Sequence, residues 1–193
     1  MGAYEDELHE HVHGFFARHP CAIRTSENCA VLALVPDFHV IEVAPGPRTE
    51  RWTYVTIGAG NKPPENGRPL EFLLCSNASD ERHVQLLYMI AFYHLTGETL
   101  DVGHTFSIGQ PWLPGSQLDC FLISLPYPFG PELEVFDQGS YHAHLFWLVP
   151  ITQSEHQFAR KAGYQALEEL LEKRRVNYSD PKRRAVVKAE AAK

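Results

Sequence analysis

The stretch "LHEHVHGF", residues 8–15, carries His9, Glu10 and His13 in the order H-E-x-x-H. On a helix that spacing puts two imidazoles on one face, within reach of a single ion, with the glutamate left to polarise a bound water. A catalytic zinc also needs a third protein ligand and a substrate cleft. Gly14 and Phe15 follow without the longer metzincin continuation, and no strand precedes the motif to present a substrate. His9 and His13 flank the apolar residues Leu8 and Val12, so they read as the margin of a docked helix, a surface histidine cluster rather than a protease centre. A second constellation is Asp101, His104 and Ser107 in "DVGHTFS". Carboxylate, imidazole and hydroxyl are the parts of a triad, but a triad is assembled in space. Three polar residues in seven serve more simply to tie down a glycine-rich loop by hydrogen bonds.

Other reactive patterns are missing. Neither phosphate-cradling glycine motif occurs, and no G-x-S-x-G elbow is present. Cys21, Cys29, Cys75 and Cys120 show no zinc-site spacing, and Cys75 and Cys120 lie in apolar runs that predict inert buried thiols. No catalytic residue, metal site or cofactor is expected. A hydrolase built on Asp101 and His104, or a metal enzyme built on His9 and His13, is the alternative. A structural role in homo-oligomers is a third possibility.

The most distinctive surface candidates are aromatic. Trp112, Tyr127 and Phe129 stand among prolines, and Trp52 joins them from a strand. Rigid aromatics on loops can line a peptide groove at low entropic cost, and they can equally fill a core.

These residues need elements to position them. Residues 4–18 predict a helix through Leu8, Val12, Phe15 and Phe16, ended by Pro20. "CAVLALV" reads as strand or buried helix. "FHVIEVAP" and "RWTYVTIGAG" alternate as half-buried strands do, "NKPPENGRP" is a surface loop, and "LEFLLCSN" is a third strand. Ser79 is placed to cap a long helix ending at Gly97, with Val84, Leu87, Ala91 and Leu95 as its core stripe. Met89, Ile90 and Phe92 add apolar surface, which predicts a central helix buried on more than one side. Strands follow at "DCFLISLPY", "LEVFD" and "HAHLFWLVPI". A capping box, Thr152 with Glu155, then opens a last helix to about Arg175. Its docking rows are Phe158, Ala162, Ala166 and Leu170, with Gly163, Leu167 and Leu171 beside them; Gly163 invites a close backbone approach. Clustered rather than alternating elements predict an α+β fold with a mixed sheet.

Composition limits the function classes. At 193 residues, 44% apolar and 21% charged, the chain suits one soluble domain, residues 1–172, followed by a basic tail, 173–193. That tail holds eight Lys/Arg against two Asp/Glu, a balance of +6. With a net charge of −7, the first 172 residues therefore stand at −13. An acidic body repels nucleic acid and favours a basic partner, and the tail reads as a frayed, solvated terminus. No apolar window is long enough for a membrane span, and the acidic N-terminus lacks the apolar core of a signal peptide. A cytoplasmic location is expected.

Six short blocks occur in a suggestive order: "WTYVTIG" (52–58), "LEFLL" (70–74), "GH" (103–104), "PFG" (128–130), "VPITQSE" (149–155) and "GYQALEELLE" (163–172). Over residues 40–172 this series resembles the suppressor of fused family in its single-domain bacterial form. The resemblance implies an α+β domain without enzymatic activity that grips a protein or peptide partner. Larger animal relatives hold a Hedgehog-pathway transcription factor inactive, in part by pairing a peptide strand against the domain. Bacterial members are similar to immunity proteins that neutralise toxins. After the Trp52 strand the animal members have an acidic, tyrosine-containing loop. Here the stretch is "GAGNKPPENGRP", with neither Tyr nor Asp, so recognition of the animal partner is not expected. The expected function is sequestration of a partner polypeptide, a toxin in the most concrete form. Trp52, Asp101, His104, Trp112, Tyr127 and Phe129 are the expected partner-binding residues.

Overall fold

Helix α1 (Ala3–Phe15) opens the computed structural model, in which residues 2–27, 29–61, 63, 68–97 and 99–187 are described. Its buried residues Tyr4, Leu8, Val12 and Phe15 follow the apolar spacing, so propensity and packing agree. Strands β1 (Cys21–Arg24), β2 (His39–Val43), β3 (Trp52–Ile57) and β4 (Leu70–Ser76) follow, with a short 3-10 turn at Ala30–Ala33 where "CAVLALV" left strand and helix open. Helix α2 runs from Glu81 to Thr96. Then come β5 (Thr105–Ser107), β6 (Leu118–Ser124), the single turn α3 (Pro131–Glu134), β7 (Val135–Gln138) and β8 (Tyr141–Thr152). Helices α4 (Gln153–Ala162) and α5 (Tyr164–Lys173) close the described elements.

The chain divides into two compact units. The first comprises residues 1–101 and 125–147, the second 102–124 and 148–193. In the first, β1 to β4 pair antiparallel in order, β4 pairs parallel with the first part of β8, and β7 pairs antiparallel with β8. Both α1 and α2 pack on β3. In the second, β5 pairs antiparallel with β6, and α4 packs on both strands and on α5. The sheet is mixed, as expected for α+β.

Several expectations change. β2 is buried along its whole length, and β3 after Trp52, rather than being half-buried. Their alternating polar residues bond inside the protein instead of reaching water: Thr56 is fully buried, donates to Glu71 and accepts from the Phe72 amide, and Glu42 accepts from Ser79. Asp80, not Ser79, caps α2, because the Ser79 hydroxyl is committed to Glu42. In α2, Val84, Leu87, Ala91 and Ile90 are buried, whereas Met89, Phe92 and Tyr93 are exposed, so the helix covers the sheet with one face and shows apolar side chains on the other.

The C-terminal helix is two helices. Gly163 sits at φ +92, a left-handed value that breaks the run, and an added Cβ there would meet only Gln165, so the glycine serves the break and not a close approach. Leu167 and Leu171, from the second expected row, are buried together with Ala159, whereas none of Phe158, Ala162, Ala166 and Leu170 is buried. The tail is not frayed throughout. Arg183 is buried and donates to both carboxylate oxygens of the fully buried Glu155 at 2.8 Å each, and to the Pro150 carbonyl at 2.8 Å. Residues 188–193 of the basic tail lie outside the described residues.

Candidate partner-binding surface

The six candidate side chains are distributed between the two units. In the first, Trp52 is half-buried at the start of β3, opposite Ser76 of β4. Asp101 takes Arg68 on both carboxylate oxygens, at 2.6 and 2.5 Å. Tyr127 is 64% exposed on the turn before α3, and Phe129 on the same turn packs edge-on against Phe15 and Phe16. In the second unit, His104 is exposed and its carbonyl accepts from the Ile123 amide. Trp112 is 3% exposed and packs edge-on against Phe121, so burial gives it the core-filling role. Ser107 serves its own loop, donating to the Asp119 carbonyl and accepting from the Gly109 amide. Tyr127 is the one aromatic of the four that presents most of its ring to solvent.

A different surface of the first unit has the geometry of a peptide acceptor. β1 is four residues long and stands at the end of the strand order, with β2 on its inner side and, among the described residues, no strand on its outer side. An unpartnered edge presents backbone donors and acceptors to any extended chain that reaches it. Ile23, at the middle of this edge, is 52% exposed. Beside it lies a cavity of about 290 Å³ whose apolar wall is Ile23, Leu32, Pro36 and Phe38. Glu27 and Asp37 supply negative charge to the same cavity. Arg24, the nearest cation on β1, is spent on Glu81 at 3.1 Å and Glu42 at 3.9 Å. The sequence hid this surface because "CAIR" is too short to show a period and follows directly on His19 and Pro20.

The base of the 58–69 loop is built on one carboxylate. Glu71, the second residue of β4, is fully buried and accepts from the Tyr4 hydroxyl, the Thr56 hydroxyl, and the Gly58 and Gly60 amides at 2.9, 2.5, 2.9 and 2.9 Å. Gly58 holds φ +110, a conformation that lets its N–H turn in toward the carboxylate. Burial pushes the Glu71 carboxyl up to about 7, against the downward pull of these four donors. Asn61 extends the arrangement by donating to Glu5 of α1 at 2.7 Å. Lys62, Pro64, Glu65, Asn66 and Gly67 of that loop lie outside the described residues. Among the described residues, no group of three or more His, Cys, Asp and Glu is arranged to hold a metal ion, and no helix is long and apolar enough to cross a membrane.

The model of the suppressor of fused family matches residues 35–184. This chain belongs to the suppressor of fused family. The match extends past the 40–172 span of the sequence blocks and takes in the docked C-terminal segment through Arg183. A suppressor of fused homolog from Neisseria gonorrhoeae is 31% identical, with a TM-score of 0.85 over 97% of this chain and 98% of that one. The fold is also similar to the structure of a Sufu–Fu complex, at 13% identity and TM-score 0.68 over 95% of this chain and 92% of that one. It is similar again to Drosophila Suppressor of Fused, at 13% identity and TM-score 0.58, with 77% of this chain covering 42% of that one. A comparison with curated proteins finds no match. Suppressor of fused architecture thus accounts for the α+β fold expected from the block order.

Proposed function

We propose that this suppressor of fused chain is a non-enzymatic binding module that sequesters a partner polypeptide, taking a basic, extended segment along the β1 edge. The observation that carries the reading is the exposed Ile23 on a strand whose outer edge is unpaired among the described residues, next to an apolar cavity with two acidic residues. Main-chain pairing would supply affinity, and an apolar side chain of the partner would enter the cavity while its flanking Lys or Arg residues face Glu27 and Asp37. The acidic body supports the same reading, because it steers a basic partner toward the molecule. One structural relative was solved as a Sufu–Fu complex, a precedent for protein binding by this architecture. In its most specific form the partner is a toxin and the chain its immunity protein. Tyr127 and Trp52 are secondary contacts in this proposal.

Affinity capture from the source cell, with mass spectrometry, tests it directly. The native chain is expected to recover one basic polypeptide repeatedly, and Ile23→Asp, a change at an exposed position, is expected to lose it by roughly tenfold or more. Capture indifferent to Ile23→Asp would remove the β1 edge from the reading, and repeated capture of no polypeptide would sink the function itself. Growth protection by this chain, when the recovered protein is expressed with it, decides the immunity role.

A further inference from the structure

The H-E-x-x-H histidines acquire a partner that the sequence does not show. His9 of α1 brings Nδ1 to 3.4 Å from Nε2 of His39, the first residue of β2. His39 is 3% exposed, and its other nitrogen, Nδ1, lies 2.9 Å from the Asp37 carbonyl. A carbonyl only accepts, so Nδ1 of His39 carries the proton and Nε2 presents its lone pair to His9. This is the arrangement in which an imidazole is preset to ligate a metal, with a carbonyl fixing tautomer and ring orientation. Two imidazole nitrogens bound to one ion at about 2.0–2.1 Å in tetrahedral geometry lie roughly 3.4 Å apart. His13, one helical turn beyond His9, is exposed, and its ring stacks on that of His9 at 6.1 Å between centroids. Asp6 and Glu10 add negative charge around His9.

We propose that His9 and His39 form a two-point chelate for a borderline divalent ion such as Zn²⁺ or Co²⁺, with water completing the shell. Imidazole donors suit such ions, and thiolate or carboxylate ligands are not needed. The ion replaces the proton between the two rings: the neutral His9 shifts its proton from Nδ1 to Nε2, through solvent, and ligates through the freed Nδ1. Bound metal would fasten α1 to β2 beside the cavity described above. The glutamate of the motif takes no part, so this is a binding site and not a protease centre. The inference is independent of the binding function proposed above.

A second histidine pair makes the internal control. His142 and His144 of β8 approach to 3.3 Å between Nε2 atoms, but Nδ1 of His144 is buried without a hydrogen-bond partner. Ligation through Nε2 would oblige that buried nitrogen to carry a proton with no acceptor, which opposes metal binding there. Calorimetric titration of the full chain with zinc sulfate, and the visible spectrum of a cobalt titration, are the readouts. The expected result is one saturable site with tetrahedral cobalt bands. It should weaken at least roughly tenfold in His9→Ala and in His39→Ala, and stay unchanged in His142→Ala. His9 is only half-buried, so His9→Ala remains informative if His39→Ala fails to fold. Absence of saturable binding, its persistence in His9→Ala, or its loss in His142→Ala overturns the proposal.

Discussion

Glu71 and Glu155 are both wholly buried, and each fastens a terminal segment to its own unit. Glu71 holds Tyr4 near the start of α1, and Glu155 holds Arg183 in the segment after α5. The donors around Glu71 are all neutral, two hydroxyls and two amides, so burial wins and the carboxyl is pushed up to about 7. Burial pushes Glu155 up as well, but the hydrogen bonds and charge of Arg183, with the Thr152 and Val186 amides, outweigh it and hold the carboxyl below the usual range. A buried carboxylate therefore has two stable solutions, many dipoles or one opposite charge, and they respond to pH with opposite signs.

The largest effect expected from breaking this contrast is at Arg183. Arg183→Ala leaves the Glu155 charge buried without its counterion, and denaturant unfolding should show a loss of about 3–5 kcal/mol. The same variant should release residues 176–187 to rapid amide exchange while leaving α1 protected. A loss under about 1 kcal/mol would mean the ion pair contributes little beyond its own desolvation.

Next comes the pH dependence. The folded-state value for Glu71 is raised, so its contribution is complete below about 4.5 and is lost as pH rises toward 7. That shift corresponds to about 3 kcal/mol. Burial holds His83 and His94 down to about 4, so they titrate across part of the same range with the opposite sign. The measurement is therefore the stability difference between the native chain and Glu71→Gln, in which the histidines cancel. That difference should shrink by about 3 kcal/mol between pH 4.5 and 7, and a flat difference would show Glu71 ionised throughout. Glu155, being depressed, contributes above the ordinary carboxylate range and loses its contribution as pH falls through its lowered value. Exchange in the 176–187 segment should accordingly rise in acid.

The smallest expected effect is Tyr4→Phe. It removes one of four donors to Glu71 while keeping the ring contacts with Phe136 and Tyr141, and about 1 kcal/mol should be lost. A loss well above that would mean the donors act as a unit rather than additively.

The capping box at Thr152 was legible because its signal is local, a hydroxyl and a carboxylate three residues apart, and both of its hydrogen bonds form. The same Glu155 also takes Arg183, 28 positions away, and no spacing rule announces that use. Likewise "LEFLL" is readable as a strand, yet nothing in it marks Glu71 as the acceptor for Tyr4, which lies 67 positions earlier. Trp112 and Tyr127 show the limit on the side of the site. Both are aromatics among prolines, and only packing against Phe121 separates the buried one from the exposed one.

By itself the sequence determined the longer strands and helices, the α+β class and the family resemblance, because apolar periods, caps and block order are written within a few residues of one another, whereas the short β1 and β5 and the break at Gly163 carry no such signal. Tertiary structure alone decided which strand is an unpartnered edge, how each buried carboxylate is compensated, and that His9 meets His39. Those outcomes depend on contacts across tens of residues, where the free energy of a polar group is set by what surrounds it and not by its neighbours in the chain.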